Sequence, residues 1–395
     1  MSSTPSVKSK FPEELERSYS GYPSAKIPFV DLSRQNSQYK YEIKIAINRV
    51  LESGRYTSGE ETAGFENEFA FYCGATFCIG VSSGIKAIEI GLRAIGIQPG
   101  DGVLTVANAG MHSTSAIQAI GAIPQFVEID PITLNMDAES LEACITERSR
   151  AVVITHLHGR MADIKPLKHI ADRYHLQVVE DCFQATGANF NGKKLGTFGV
   201  LGCFCFSPAS NLGALGEVGA IITDDLELAA AARVIRLEGN NSGSNCTVNV
   251  DNSALMNEIQ AAILRSKLPM LDEWNLRRRM VAQTYMIHLG TSNSELDWDY
   301  PAGSSVFQHF VVRSPQRGQL QTYLQEIGIE TEVHYPLPDH IKSGSSKKTS
   351  AEVRLPQTEK ACNEVLSLPC YPELRSWEIQ QICMAIKEYF GQMLE

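Results

Sequence analysis

Three short stretches carry the residues that could do chemistry. In the first, the apolar pair Val178-Val179 runs into Glu180-Asp181-Cys182-Phe183-Gln184 and then into small residues up to Ala188. That pattern predicts a buried parallel strand whose carboxyl end delivers Asp181 and Gln184 into a crevice. An acid at a strand end is, taken alone, more often a turn former than a functional group. In the second stretch, Cys78 to Val81 predicts a short strand, Ser82-Ser83-Gly84 a turn, and Ile85 the opening of a helix. Free N–H groups and the helix dipole make such a turn a place for an anion. The third stretch runs Phe204-Cys205-Phe206-Ser207-Pro208-Ala209-Ser210-Asn211-Leu212-Gly213. Its Ser210 hydroxyl forms no imine and is a poor base at neutral pH unless another group activates it. The imidazoles are His112, just past a strand predicted at Val103 to Val106, and His156 and His158, at the end of one predicted at Ala151 to Thr155. On an extended segment His156 and His158 share a side, but no third ligand completes a metal site, and none is expected.

Taken together, these phrases resemble the DegT/DnrJ/EryC1/StrS family of sugar aminotransferases. The likeness rests on Glu180-Asp181-x-x-Gln184-Ala185-x-Gly187-Ala188 and on the Phe204 to Gly213 run. Phe65-Glu66-x-x-Phe69-Ala70, Glu258-Ile259-Gln260-Ala261-Ala262 and His334-Tyr335-Pro336 add to it. It covers the chain from about Ile27 onward. The resemblance implies a fold-type-I architecture: an α/β large domain with a mostly parallel seven-stranded sheet, and a smaller C-terminal α/β domain. It also implies a homodimer with sites at the subunit interface, and pyridoxal phosphate (PLP) or pyridoxamine phosphate (PMP) as cofactor. Asp181 then faces the pyridine nitrogen and Gln184 the ring hydroxyl. A planar ring near His112 stacks on the cofactor. Ser83, Gly84, Ile85, Cys205, Ser207 and Asn252 lie around the phosphate.

The departures from the family pattern bear on function. The Schiff-base lysine position is Ser210. The family's phosphate-binding Thr, Ser and Arg correspond to Ile85, Cys205 and Ala254, and a Tyr corresponds to His158. Losing three such contacts costs on the order of 4–6 kcal/mol, roughly a thousandfold or more in affinity. Three functions stay open. The chain is a lysine-less enzyme of altered chemistry, binding PMP or a preformed aldimine of a nucleotide sugar or other biosynthetic intermediate, with Ser210, His112 and His158 as catalytic candidates. Or it is a cofactor-free isomerase or cyclase of a biosynthetic pathway. Or it is a non-catalytic relative that binds a ligand or regulates an active paralogue.

Composition sets the outer bounds. The 395 residues allow a large core and two lobes, and a net charge of −10 disfavours nucleic acid and anionic membranes. No apolar run is long enough for a membrane span and Met1 to Lys10 is polar, so a cytoplasmic protein is expected. The ten cysteines read as reduced, buried thiols. The organisation predicted is a disordered tail over 1–26, a large domain over 27–265 and a small domain over 266–395. Strands alternating with helices at Phe65–Tyr72, Ile85–Ile95 and Pro166–Tyr174 argue for right-handed crossovers. Further helices are predicted at Tyr39–Ser53, Asn252–Lys267, Trp274–Leu289 and Gln319–Ile327, and a last one capped by Ser376. Gly239–Val250 reads as a mobile loop and Ser343–Lys348 as an exposed segment.

Overall fold

The computed structural model of the protein describes residues 26–238, 254–290, 295–298, 305–342 and 354–391. The predicted N-terminal tail up to residue 25, the loops at 239–250 and 343–348, and Asn252 lie outside the described residues. Seven strands form one sheet: β1 (Phe77–Val81), β2 (Gly102–Val106), β3 (Ile123–Val127), β4 (Ser149–Thr155), β5 (Gln177–Asp181), β6 (Leu201–Cys205) and β7 (Gly219–Thr223). Their order is β1-β7-β6-β5-β4-β2-β3. Every pairing is parallel except those of β7, which runs antiparallel to both β1 and β6. The strands are short and apolar on both faces, as a sheet covered by helices on each side requires. Because β1, β2, β4, β5 and β6 all run the same way, the loops that follow them gather along one edge. That edge is where the three chemistry-bearing stretches meet.

Helix Gly84–Ala94 buries Ala87, Ile88, Ile90 and Leu92 against the sheet. Its Ile85, by contrast, is 37% exposed. On the other face Phe65, Phe69, Phe204 and Phe206 form an aromatic cluster, with Phe69 edge-on to Phe204 at 5.0 Å and to Phe206 at 5.1 Å. Such pairs add about 0.5–1.5 kcal/mol each beyond their buried area. They fix the end of β6, and with it the loop that carries Ser210.

Several elements differ from the sequence reading. The helix expected to open at Asn252 starts only at Glu258, because Ala254–Asn257 runs extended and bridges Val81 and Thr57. Asn257 then caps it, accepting from the Ile259 amide at 2.9 Å. The C-terminal helix spans Ser376–Tyr389 and is capped by Arg375 and Glu378, with Ser376 as its first residue. A helix at Leu32–Gln38, absent from the sequence reading, is capped by Asp31. His156 and His158 do not share a side. The chain there is a short 3₁₀ turn with His158 at φ 60°, so the two rings diverge.

The second lobe has its own core, built from the later turns of Leu271–Leu289, β8 (Phe310–Arg313), β9 (Val365–Leu368), the helix Arg317–Glu326 and the C-terminal helix. Ile27 joins that core through a parallel bridge to Ile329. Between the lobes the imidazoles of His309 and His334 stack at 3.8 Å, with His158 edge-on to His309 at 6.1 Å. Burial pushes His158 down to about 3 and His334 down to about 4, and takes His309 well below its ordinary value. The unfolded imidazoles titrate near 6.5, so the unfolded chain binds more protons as pH falls below that value. Their contribution to stability is complete above about pH 6.5 and is lost as pH falls toward 4. Melting temperature should therefore drop steeply across this window, and His309→Phe should flatten the drop. An unchanged slope in the variant would mean that the stack does not set the pH dependence of stability.

Candidate active site

β5 ends in two adjacent carboxylates with opposite fates. Successive side chains on a strand face opposite sides of the sheet. Glu180 is fully buried; it receives the amides of Gly196, Phe198 and Gly199 at 2.8, 2.6 and 2.7 Å and pairs with His156 Nε2 at 3.1 Å. His156 Nδ1 accepts from the Ala162 amide, so the proton sits on Nε2 and points at Glu180. Burial would raise the Glu180 pKa, but the His156 contact and these amides bring it below the usual range. His156, Glu180 and Cys182 have ligand-type atoms within 4.8 Å of one another. The His156 and Glu180 atoms are already hydrogen-bonded and burial keeps the Cys182 thiol protonated, so the trio is a latch rather than a metal site.

Asp181 faces the other way. One oxygen accepts from Ser113 Oγ at 3.1 Å and Thr155 Oγ1 at 3.2 Å, the other from the Phe183 amide at 3.2 Å. Burial pushes its pKa up, while His112 and these donors pull it back. His112, the first residue of the helix His112–Ala119, packs its ring 5.6 Å from Phe183. Gln184 Oε1 accepts from the His158 amide at 2.6 Å, and Nε2 donates to the hydroxyl of Tyr335 at 3.0 Å. Thus His158 serves this edge through its backbone, and its ring is buried against His309.

The strand, turn and helix around Ser83 and Gly84 form as expected. Ser83 caps the helix, its hydroxyl accepting from the Lys86 amide at 3.2 Å, so the Gly84 and Ile85 amides precede the intrahelical ladder. Gly84 must stay small: a Cβ there would lie 2.6 Å from Cys205 Cβ and 2.7 Å from Phe183 Cζ. Burial raises the Cys205 thiol, opposed by the Ser207 backbone and hydroxyl and by the Gly84 amide. Ser207 and Ser210 pair their hydroxyls at 3.1 Å. Ala254 is buried, and its carbonyl accepts from the Ser82 amide at 2.9 Å.

A lysine does approach the Ser210 loop from elsewhere. Lys267 is 2% exposed and pushed down to about 8 by burial. Its Nζ donates to the Gly213 carbonyl at 2.9 Å and to Asn36 at 3.1 Å, so its ammonium is engaged at Gly213, three residues beyond Ser210.

A profile of the DegT/DnrJ/EryC1/StrS aminotransferase family matches residues 37–387. The chain belongs to that family. It is 40% identical over 371 residues to a pleiotropic regulatory protein of Geobacillus stearothermophilus, covering 92% of this chain and 98% of that one. It is 38% identical over 365 residues to the dTDP-3-amino-3,4,6-trideoxy-alpha-D-glucose transaminase of Streptomyces venezuelae, covering 92% and 96%. The fold superposes on the S. venezuelae DesV structure in complex with a ketimine intermediate, at TM-score 0.86 and 36% identity over 94% of this chain and 100% of that one. It also matches Bacillus subtilis NtdA with bound PMP, at TM-score 0.81 and 29% identity over 96% and 90%. The chain thus has the α/β fold of the family's PLP aminotransferases.

Residues of the second lobe that the sequence reading did not single out complete the site. Gln308 Oε1 accepts from the Asn211 amide and its Nε2 donates to the Ala209 carbonyl, both at 2.8 Å, so it brackets Ser210. Asp339 accepts from the Met111 amide at 2.9 and 3.0 Å and from the Thr114 hydroxyl at 2.8 Å, capping the helix that carries His112 and Ser113. No local pattern marks either residue, because both act across the lobe boundary. Burial pushes the Asp339 carboxyl up to about 6. An unfolded Asp titrates near 3.9, so the folded chain binds the extra proton and stability falls as pH rises from about 4 to about 6. Asp339→Asn keeps an acceptor and removes the charge. Its melting temperature should gain on the wild type as pH rises through that window; parallel curves would overturn this assignment.

Proposed function

We propose that this chain binds PMP, or PLP, without a covalent bond to protein and uses it on a keto group of a nucleotide-linked sugar. The reading is carried by one observation: Asp181 is retained, buried and oriented by Ser113, Thr155 and the Phe183 amide, in a chain whose imine-forming position holds Ser210. The ring end fits a B6 cofactor, with Asp181 for the pyridine nitrogen, Gln184 for the ring hydroxyl and the planar His112 beside them. The phosphate end is thinner, with the Gly84 and Ile85 amides and the Ser207 hydroxyl as donors. When bound, PMP supplies an exchangeable amine and an electron-accepting ring.

The chain's own residues would work as follows. Asp181 holds a proton at a ring nitrogen set against it, and its burial makes it a strong acceptor. Gln184 is fixed by the His158 amide, so its Nε2 faces the crevice. Ser207 and Ser210 orient oxygen atoms but cannot carry a proton alone. The proton-moving role of the absent amine falls to His112, since the His158 ring is committed to His309. A nucleotide-linked 3- or 4-keto sugar is the substrate class, and relatives such as the S. venezuelae 3-amino sugar transaminase favour the 3-keto one. A homodimer is supported by large apolar side chains left open on one chain, among them Tyr41 at 73% and Tyr56 at 49% exposure. The relative named a pleiotropic regulatory protein supports a second reading, in which the loaded site serves association rather than turnover.

The test is titration of PMP into the purified protein. Wild type should retain PMP through gel filtration, and Asp181→Asn should weaken binding by about tenfold or more, as loss of a charged hydrogen bond does. Borohydride treatment with PLP should leave the protein mass unchanged. Ser210→Lys alone should trap little cofactor, because Ile85 and Cys205 remain at the phosphate end. Stoichiometric trapping on a lysine of the wild type would refute the reading. Retained PMP that no keto sugar nucleotide can discharge would favour the regulatory one.

A further inference from the structure

Tyr335 reaches the crevice from the second lobe. Gln184 Oε1 is taken by the His158 amide at 2.6 Å, which fixes the carboxamide and makes Nε2 the atom that meets the phenol at 3.0 Å. The phenol oxygen is therefore an acceptor in this contact, and its own proton is left for another partner. The Tyr335 ring stands edge-on to His112 at 5.8 Å and 86°. It also lies directly on Gly110: a Cβ there would fall 2.6 Å from Cε1 and Cζ of Tyr335. Gly110 sits at φ 71°, in the turn that leads from β2 to His112. Tyr335, Gln184, His112 and Gly110 thus form one corner beside Asp181.

We propose that Tyr335 is a cofactor-positioning residue, the second-lobe wall of the slot for the pyridine ring, and that Gly110 is a glycine in order to admit it. This rests on the reading of a bound B6 cofactor. His112 and Tyr335 stand perpendicular to one another, so a flat ring set against Asp181 would be confined on two sides, which would fix its rotation as a single stacking ring cannot. Burial, reinforced by Asp181, keeps the phenol protonated. It therefore enters the slot as a neutral donor and does not repel Asp181 or an incoming phosphate. The Gln184 contact already ties the second lobe to this loop, so a cofactor would seat against a preformed wall.

The experiment is PMP titration, followed by cofactor fluorescence, on wild type, Tyr335→Phe, Tyr335→Ala, Gly110→Ala and the double variant Gly110→Ala/Tyr335→Ala. Tyr335→Ala should weaken binding by about tenfold or more. Tyr335→Phe keeps the ring and loses one neutral hydrogen bond, so about a fivefold loss is expected. Gly110→Ala should resemble Tyr335→Ala, because the added methyl displaces the ring, and Tyr335→Ala on top of it should cost less than about twofold more. Should Gly110→Ala fail to fold at its positive φ, the Phe and Ala variants of Tyr335 still decide. Wild type that binds PMP while Tyr335→Ala binds it as well or better makes the ring an obstacle and overturns the proposal alone. So do additive losses in the double variant. Wild type that binds no PMP overturns this proposal together with the functional reading beneath it.

Discussion

The carboxylate of Glu180, sealed from water and surrounded by donors, is the constraint on which the site depends. It ties the His156 turn after β4 to the Gly196–Gly199 segment that feeds β6. A buried carboxylate without those partners would be strongly unfavourable, so the two loops cannot separate without exposing it. The register of β6 follows, and with it the position of Cys205, Ser207 and Ser210. The aromatic cluster of Phe65, Phe69, Phe204 and Phe206 reinforces the same strand on the same face, where Phe204 packs on Gly196.

One residue further along, the pleat reverses the environment. Glu180 is saturated with hydrogen bonds and held ionised; Asp181 is equally buried, has fewer donors, and is pushed upward. The two carboxyl groups are alike in chemistry and adjacent in sequence. One closes the scaffold and the other is held by three donors only. The difference is the number of fixed donors that each face of the sheet supplies.

The second lobe grips three of the loops at this edge. Gln308 holds the backbone on both sides of Ser210, Tyr335 meets Gln184, and Asp339 caps the helix of His112. The site is therefore a property of both lobes. The loop that carries Ser210 is held in place by Gln308 and by the Ser207–Ser210 pair.

Much of this was legible in the chain. Apolar runs ending in Ser83-Gly84, Asp181 and Ser207 determine where strands stop and small or polar residues begin, since backbone sterics and burial act locally. The same local logic placed Asp181 and Gln184 at a strand end and marked Ser210 as unable to form an imine. It misjudged His158, because whether an imidazole faces the crevice or the lobe boundary depends on one left-handed φ and on His309, distant in sequence. The roles of Gln308, Tyr335 and Asp339 were decided by tertiary structure alone. Their partners lie far away in the chain, and hydrogen-bond geometry across a lobe boundary leaves no periodicity in the sequence that encodes it.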